Sequence, residues 1–254
     1  MKFKFLVLIV GICLLSGTSA YADLYLRGMG TITSAGAGQG ETYRLIYDSD
    51  ENVTWFDYTS ASDSISNQKD WVDALAVQDF SNTYSGWQLP TFNESLVTLN
   101  GVLGFSGPNP DGTYDYEYGY NMVNSALGRL FYETLANFGA INESGLLFLE
   151  GYGLSNTGPF ENLQGTADYY WLDTPYSQDT TYHWLFSFST GAHSYGADER
   201  LAIAFRSGDV AQDPDYSDYP VWRSGGNQVP IPAAVYLLGT GLLGLAGLRR
   251  KLFR

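Results

Sequence analysis

Alternating apolar and polar positions predict short strands in two parts of this chain, residues 24–56 and residues 169–205. Residues 24–26, 43–47 and 53–56 form three such runs, separated by a glycine-rich loop and by an acidic turn. This arrangement is typical of β-hairpins. Further strands are predicted at 169–172, 182–188 and 201–205, with aromatic side chains on one face of the middle one.

Apolar residues spaced three and four positions apart predict two main helices between these strand regions. The first runs from a capping Ser66 to Val77. The second covers residues 121–138, where a wide apolar stripe ends at Gly139. A capping box from Thr91 to Glu94 predicts a shorter helix between them.

The two ends of the chain carry longer apolar runs next to basic residues. Residues 1–22 are typical of a signal peptide, because a basic start and an apolar core precede the small residues Ala20 and Ala22 of a cleavage site. Residues 231–248 carry no charge and would extend about 27 Å as a helix, close to the ~30 Å core of a bilayer. They predict a transmembrane helix with a stop-transfer cluster behind it: Arg249, Arg250, Lys251 and Arg254.

A proline-containing motif precedes that apolar run. Val229, Pro230, Ile231, Pro232 and Ala233 resemble the Val-Pro-Leu-Pro-Ala variant of the PEP-CTERM sorting signals, with isoleucine in place of leucine. The resemblance implies processing by an exosortase at the inner membrane of a Gram-negative bacterium. The chain would then reach the cell surface or an exopolysaccharide matrix and would be anchored only transiently. A plain single-span anchor is the alternative.

Charge and cysteine content narrow the possible functions of the segment between the two ends. Only seven of the 13 basic residues fall between the predicted signal peptide and the tail, against all 27 acidic residues, which gives a net charge of −20. Such a charge excludes nucleic acid as a partner. The single cysteine, Cys13, lies in the signal peptide, so disulfides, thiol catalysis and cysteine metal sites are excluded after cleavage.

Five ordered landmarks within residues 43–210 resemble the Lcl C-terminal domain family. They are the hairpin 45–55, the helix and Leu-Pro-Thr element 71–91, and the segments 127–133, 160–171 and 204–210. Gln88 and Ser207 depart from the family pattern. The resemblance implies an α+β, C-type-lectin-like fold in which two main helices flank a small, irregular antiparallel sheet. The predicted organisation is a domain at 23–224, a linker at 225–228 and the sorting signal at 229–254.

Two groups of residues are candidates for binding. Alternating tyrosines, whose flat rings match the apolar faces of sugars, form a candidate glycan site: Tyr114, Tyr116, Tyr118 and Tyr120. A packed loop is the alternative for them. Clustered carboxylates form a candidate calcium site, with solvated acidic turns as the alternative: Asp48, Asp50, Asp213 and Asp215.

Catalytic signals are weak in this sequence. His183 and His193 lack the short spacing of metal pairs, and no Gly-x-Ser-x-Gly nucleophile elbow is present. The sequence therefore predicts a non-catalytic module of a biofilm or exopolysaccharide that binds glycans or proteins or has a structural role there. A secreted hydrolase acting on extracellular polysaccharide is the alternative, and it would need an acid and a base, or a serine and a histidine, to converge in a cleft.

Overall fold

The computed structural model describes residues 23–93, 102–103, 119–142, 146–148, 150–166, 168–177, 179–216, 218 and 220–223. The chain divides into two units at Ser224 and Gly225, and the second unit lies outside the described residues.

Strands dominate the first unit. In chain order they are β1 (Asp23–Ile32), β2 (Thr42–Asp48), β3 (Val53–Thr59), β4 (Val77–Gln78), β5 (Thr83–Tyr84), β6 (Val102–Leu103), β7 (Gly119–Tyr120), β8 (Tyr170–Pro175), β9 (His183–Phe186), β10 (His193–Gly196), β11 (Ile203–Ser207) and β12 (Trp222–Arg223). They form one sheet in the order β11-β3-β2-β1-β4-β5, with β12 also paired to β1, and a second sheet in the order β6-β7-β10-β9-β8. The paired strands within both sheets are antiparallel.

The first sheet is buried on both of its faces. Ile46 and Trp55 belong to the first apolar cluster, which also contains Trp184 and Phe186 of the second sheet. Their chain neighbours Leu45 and Phe56 belong to the second apolar cluster. Successive strand residues point to opposite faces, so both faces need apolar residues. This explains why β3 begins with a continuous run of buried residues rather than with an alternation.

Two short helical segments accompany the sheets in the described part of the chain. Helix α1 (Ile65–Ala74) is capped by Ser64, two residues before the predicted cap, and Val72 packs it onto the second apolar cluster. Helix α2 (Ala126–Arg129) continues directly into a π-helical turn, Leu130–Thr134.

The predicted long helix at 121–138 is therefore much too long. Asn121 and Ala136 adopt positive φ values of 59° and 54°, which an α-helix cannot include. Ser125 is extended and caps α2 through its side chain. The apolar residues of this stripe are buried in the core both on the helix and in the turns beside it. Their spacing therefore does not indicate how long the helix is.

The fold-class prediction of an α+β, C-type-lectin-like domain with two main helices flanking a small sheet is wrong. Strand accounts for 36% and helix for 11% of the structure, and the helices are short. Among the described residues no helix is both long and apolar enough to cross a membrane. The predicted span at 231–248 lies outside those residues.

A bulge in β1 directs one cation onto the acidic segment that follows β11. The register against β2 shifts between Leu26 and Gly28, so Arg27 occupies the bulge. Gly28 has a φ of 145°, and a Cβ there would lie 2.9 Å from the Cβ of Asp213. Glycine is required at this position because the two chain segments approach each other so closely.

Arg27 holds that segment through several acceptors. Its guanidinium binds both carboxylate oxygens of Asp209 at 2.8 and 2.6 Å, Oε1 of Gln212 at 2.7 Å and Oδ1 of Asp218 at 2.7 Å. The residue is only 8% exposed. The acidic segment after β11 is thus attached to the first sheet by one buried cation.

Candidate functional site

A cleft of ≈ 590 Å³ opens beside the first sheet. Its residues come from the β2–β3 turn, from β3 and β11, from the segment before residue 94 and from the start of α2: Glu51, Val53, Trp55, Thr91, Phe92, Asn93, Val123, Asn124, Ser125, Ala126, Arg129 and Phe205. The volume lies within the range of about 300–1,000 Å³ typical of small-molecule sites.

Two distant chain segments pair to form one wall of the cleft. Asn93 N donates to Asn124 O at 2.8 Å, and Ala126 N donates to Thr91 O at 3.1 Å. The side-chain amide of Asn124 adds a bond to Asn93 O at 2.8 Å. Backbone bonds therefore fix this wall, and Thr91 and Asn93 are exposed on it.

Aromatic residues form the floor. The rings of Trp55 and Phe205 lie 5.4 Å apart on the first sheet, and the ring of Phe92 packs 4.2 Å from that of Trp184 of the second sheet. Thr174 anchors Phe92, because its Oγ1 accepts from Phe92 N at 3.0 Å and donates to Phe92 O at 3.1 Å. The floor is rigid, since each ring is locked by the core behind it.

One polar atom of this floor is unpaired. The indole Nε1 of Trp55 is buried and has no hydrogen-bond partner in the part of the chain that the structure describes. A buried donor without an acceptor costs about 1–3 kcal/mol.

An ion pair borders the cleft. Arg129 binds Glu51 through Nη1, and its Nε lies 3.5 Å from Oε2 of Glu133. Glu51 is the main cause that raises the pKa of Arg129. Beside this pair, burial raises the pKa of Asp48 to about 6, although its Oδ1 accepts from the amides of Asp50 and Glu51. Carboxylates outnumber cations on this side of the cleft.

A serine and a histidine meet at the inner end of the cleft wall. Ser125 Oγ lies 2.6 Å from His193 Nε2 and accepts from Gly128 N at 2.8 Å. A Cβ on Gly128 would lie 2.8 Å from the His193 ring and 2.2 Å from Met122 O, so glycine is needed there. The pair joins the cap of α2 to strand β10.

This pair lacks the features of a catalytic base and nucleophile. His193 is fully buried, and desolvation lowers its pKa to about 3. Within the described residues its Nδ1 has no partner, so no carboxylate orients the ring as in a hydrolytic triad. A histidine that stays neutral at this depth serves as a hydrogen-bonding group of the core.

The predicted tyrosine array cannot be placed as a unit. Tyr114, Tyr116 and Tyr118 lie outside the described residues, whereas Tyr120 is half-buried in β7 of the second sheet. Tyr120 does not line the cleft.

The four predicted calcium ligands lie in two separate turns, where Asp48 and Asp213 accept hydrogen bonds from backbone amides. Asp48 binds backbone amides of the β2–β3 turn, and Asp213 Oδ1 accepts from Asp215 N at 2.9 Å. Asp50 is exposed in the same turn as Asp48. The described residues contain no group of three or more histidine, cysteine or acidic side chains arranged to hold a metal ion.

The residues predicted for export and sorting lie outside the described part of the chain. They are the cleavage residues Ala20 and Ala22, the motif Val229, Pro230, Ile231, Pro232 and Ala233, and the basic residues Arg249, Arg250, Lys251 and Arg254.

The cleft itself was not predicted from the sequence. The sequence around Thr91 predicts a helix cap, and Trp55 and Arg129 stand out only as parts of the family landmarks. The pairing of residues 91–93 with 124–126 creates the site, and such a long-range pairing leaves no local pattern. The one available signal was polar asparagines, Asn93 and Asn124, next to aromatic and apolar residues.

Comparisons of this chain with protein-family models, with curated proteins and with solved structures found no match.

Proposed function

We propose that this protein is exported to the surface or extracellular matrix of a Gram-negative bacterium, is sorted by an exosortase, and binds glycans in the cleft without catalysis. The observation that carries the binding part is the composition of the cleft, with a rigid aromatic floor beneath a rim of amides, a hydroxyl and an ion pair. The resemblance to the Lcl C-terminal domain family remains part of this proposal.

Sugars suit such a site for physical reasons. The C–H faces of a pyranose are apolar and pack on aromatic rings, whereas its hydroxyl groups need donors and acceptors around the edge. Thr91 and Asn93 supply such groups at the exposed wall, Asn124 lies beside them, and the buried rings of Phe92 and Phe205 line the cleft as well.

The sequence supports the export part. The signal peptide, the Val-Pro-Ile-Pro-Ala motif and the basic end lie in the order that a sorted substrate requires. Intact mass measurement after expression in a host that encodes an exosortase tests this part. The expected product lacks residues 1–22 and is cut within or near the motif, and Pro230→Ala leaves the tail uncut. An uncut tail in the unaltered chain would contradict the proposal.

Binding is tested by titrating the purified full-length chain with a panel of glycans that includes the exopolysaccharide of an exosortase-encoding bacterium. Thr91→Trp places a bulky ring at the mouth of the cleft on an exposed position, and we expect it to weaken binding at least about 10-fold. Thr83→Trp is the matched control, because Thr83 is also exposed but does not line the cleft. Equal binding by both variants would place the ligand elsewhere, and no binding by the unaltered chain would refute the proposal.

The contact between Ser125 and His193 is the one observation that favours the alternative, a hydrolase. The same titration tests it if reducing ends are measured over time. We expect none to form. Release of reducing ends that stops in Ser125→Ala, while the variant still binds, would establish the hydrolase instead.

A further inference from the structure

Arg129 is the single cation among the described residues that line the cleft, and it already pairs with carboxylates. Glu51 binds its Nη1, and Glu133 lies 3.5 Å from its Nε. An acidic group on a ligand that approached this guanidinium would stand beside the carboxylates of both Glu51 and Glu133. Like charges placed together in this way oppose binding.

The other cations of the domain offer no substitute. Five of the remaining six basic residues also form ion pairs with carboxylates: Arg27, Arg44, Lys69, Arg200 and Arg223. The sixth, Arg206, lies over the ring of Tyr84 at 5.0 Å. None of these six lines the cleft.

We infer that the cleft takes neutral or amino-bearing sugars and rejects uronates and sulfated sugars, and that Glu51 is the residue that sets this preference. The inference rests on the proposed function, since it specifies the sugar class for the same cleft. Glu51 acts by masking Arg129. Hydroxyl groups can still bond to the outer oxygens of the pair, and an ammonium group gains from the excess of carboxylates.

Glu51→Gln tests this, because it unmasks the guanidinium with little change in side-chain shape. The probes are a neutral β-glucan hexasaccharide, a chitosan hexasaccharide and an alginate hexasaccharide, each titrated into the full-length chain at 0.15 M salt. We expect the ratio of alginate affinity to neutral affinity to rise about 5-fold in the variant, as suits one partly exposed ion pair. Glu51→Ala should shift the ratio in the same direction, which covers the case in which the glutamine variant is unstable.

Glu161→Gln is the matched control. Glu161 pairs with Arg44 in the same manner outside the cleft, so this variant makes the same change in net charge without touching Arg129. Its ratio of affinities should change less than 2-fold, which is the scatter expected of a remote surface charge.

The outcomes separate this inference from the proposed function. Glycan binding with a preference for alginate, or with an unchanged ratio in both Glu51 variants, overturns the inference and leaves glycan binding standing. Absence of binding by every probe to every variant overturns both. Binding of oligolysine that Thr91→Trp abolishes, without binding of any sugar, overturns both in favour of a basic protein partner.

Discussion

At the scale of single residues, Asp48 is a buried carboxylate whose ionisation lowers the free energy of unfolding. Burial raises its pKa from 3.8 to about 6. Between these pH values the folded protein binds more protons at Asp48 than the unfolded chain does, so this group lowers the free energy of unfolding as the pH rises through that window. Above about pH 6 the full cost is present.

Asp48→Asn should therefore stabilise the protein at pH 7 by about 2 kcal/mol and change its stability little at pH 4. The amide preserves the local bonds, because its oxygen can accept from the Asp50 and Glu51 amides and its nitrogen can donate to Thr134 Oγ1, which lies 3.4 Å from Oδ2 of Asp48. Urea unfolding at both pH values measures the effect.

Asp50→Asn is the control for this measurement, because Asp50 is exposed in the same turn. The carboxyl of Asp57, whose pKa is also raised to about 6 by burial, titrates equally in all three proteins and cancels in the differences. A gain from Asp48→Asn that is equal at pH 4 and pH 7 would show that ionisation is not its cause.

Arg27 is the cation whose loss should cost most. Arg27→Ala leaves Asp209 and Asp218 without their cation, and we expect a loss of about 2 kcal/mol in urea unfolding. This value is below that for a fully buried pair because the two carboxylates are 37% and 81% exposed and regain water. Arg223→Ala removes a cation that is 53% exposed where it pairs with Asp23, and it should cost less than about 1 kcal/mol. Equal losses would mean that the bulge does not anchor the acidic segment.

At the scale of elements, helix α2 depends on its cap. Ser125→Ala removes the bond to Gly128 N and leaves His193 Nε2 without its partner, so the loss should be about 2 kcal/mol in chemical unfolding. Ser64→Ala removes only an exposed cap bond of 3.3 Å on α1 and should cost about 0.5–1 kcal/mol. A larger loss at Ser64 than at Ser125 would contradict the role given to the histidine.

The strands were more predictable than the helices for a physical reason. Strands β2, β3 and β8 begin close to their predicted positions because alternation or a turn marks them locally. The helix at 121–138 failed because burial between two sheets imposes apolar residues on any backbone, including the turns around Asn121 and Ala136. Apolar spacing indicates that a segment is buried, and only the caps and positive φ angles decide how far it is helical.

At the scale of the whole molecule, the cleft exists because the two sheets share a core. Trp55 comes from the first sheet, Phe92 packs on Trp184 of the second, and α2 closes the side between them. The acidic character of the site could be predicted from composition, because the domain holds few cations. Its position could not, since no local pattern links residue 92 to residue 125 or residue 55 to residue 205.

The last described strand completes the molecule. Trp222 donates from Nε1 to Thr134 O at 2.8 Å and packs against the core from a half-buried position. Trp222→Ala should lower the free energy of unfolding by about 2 kcal/mol, less than for a fully buried tryptophan. Val221→Ala, at a position 49% exposed, should change it by less than about 0.5 kcal/mol. Thermal and urea unfolding of both variants check this.

The pairing of β12 with β1 also decides how the domain responds to pulling. Leu24 faces Trp222 and Asp23 faces Arg223, so the first and last described residues are paired in the first sheet. If the domain binds a polymer in the cleft as proposed, a load applied through the residues after Arg223 reaches this two-residue ladder first. We therefore expect the pairing of β12 with β1 and the contacts of Trp222 to separate under load before the cleft is deformed.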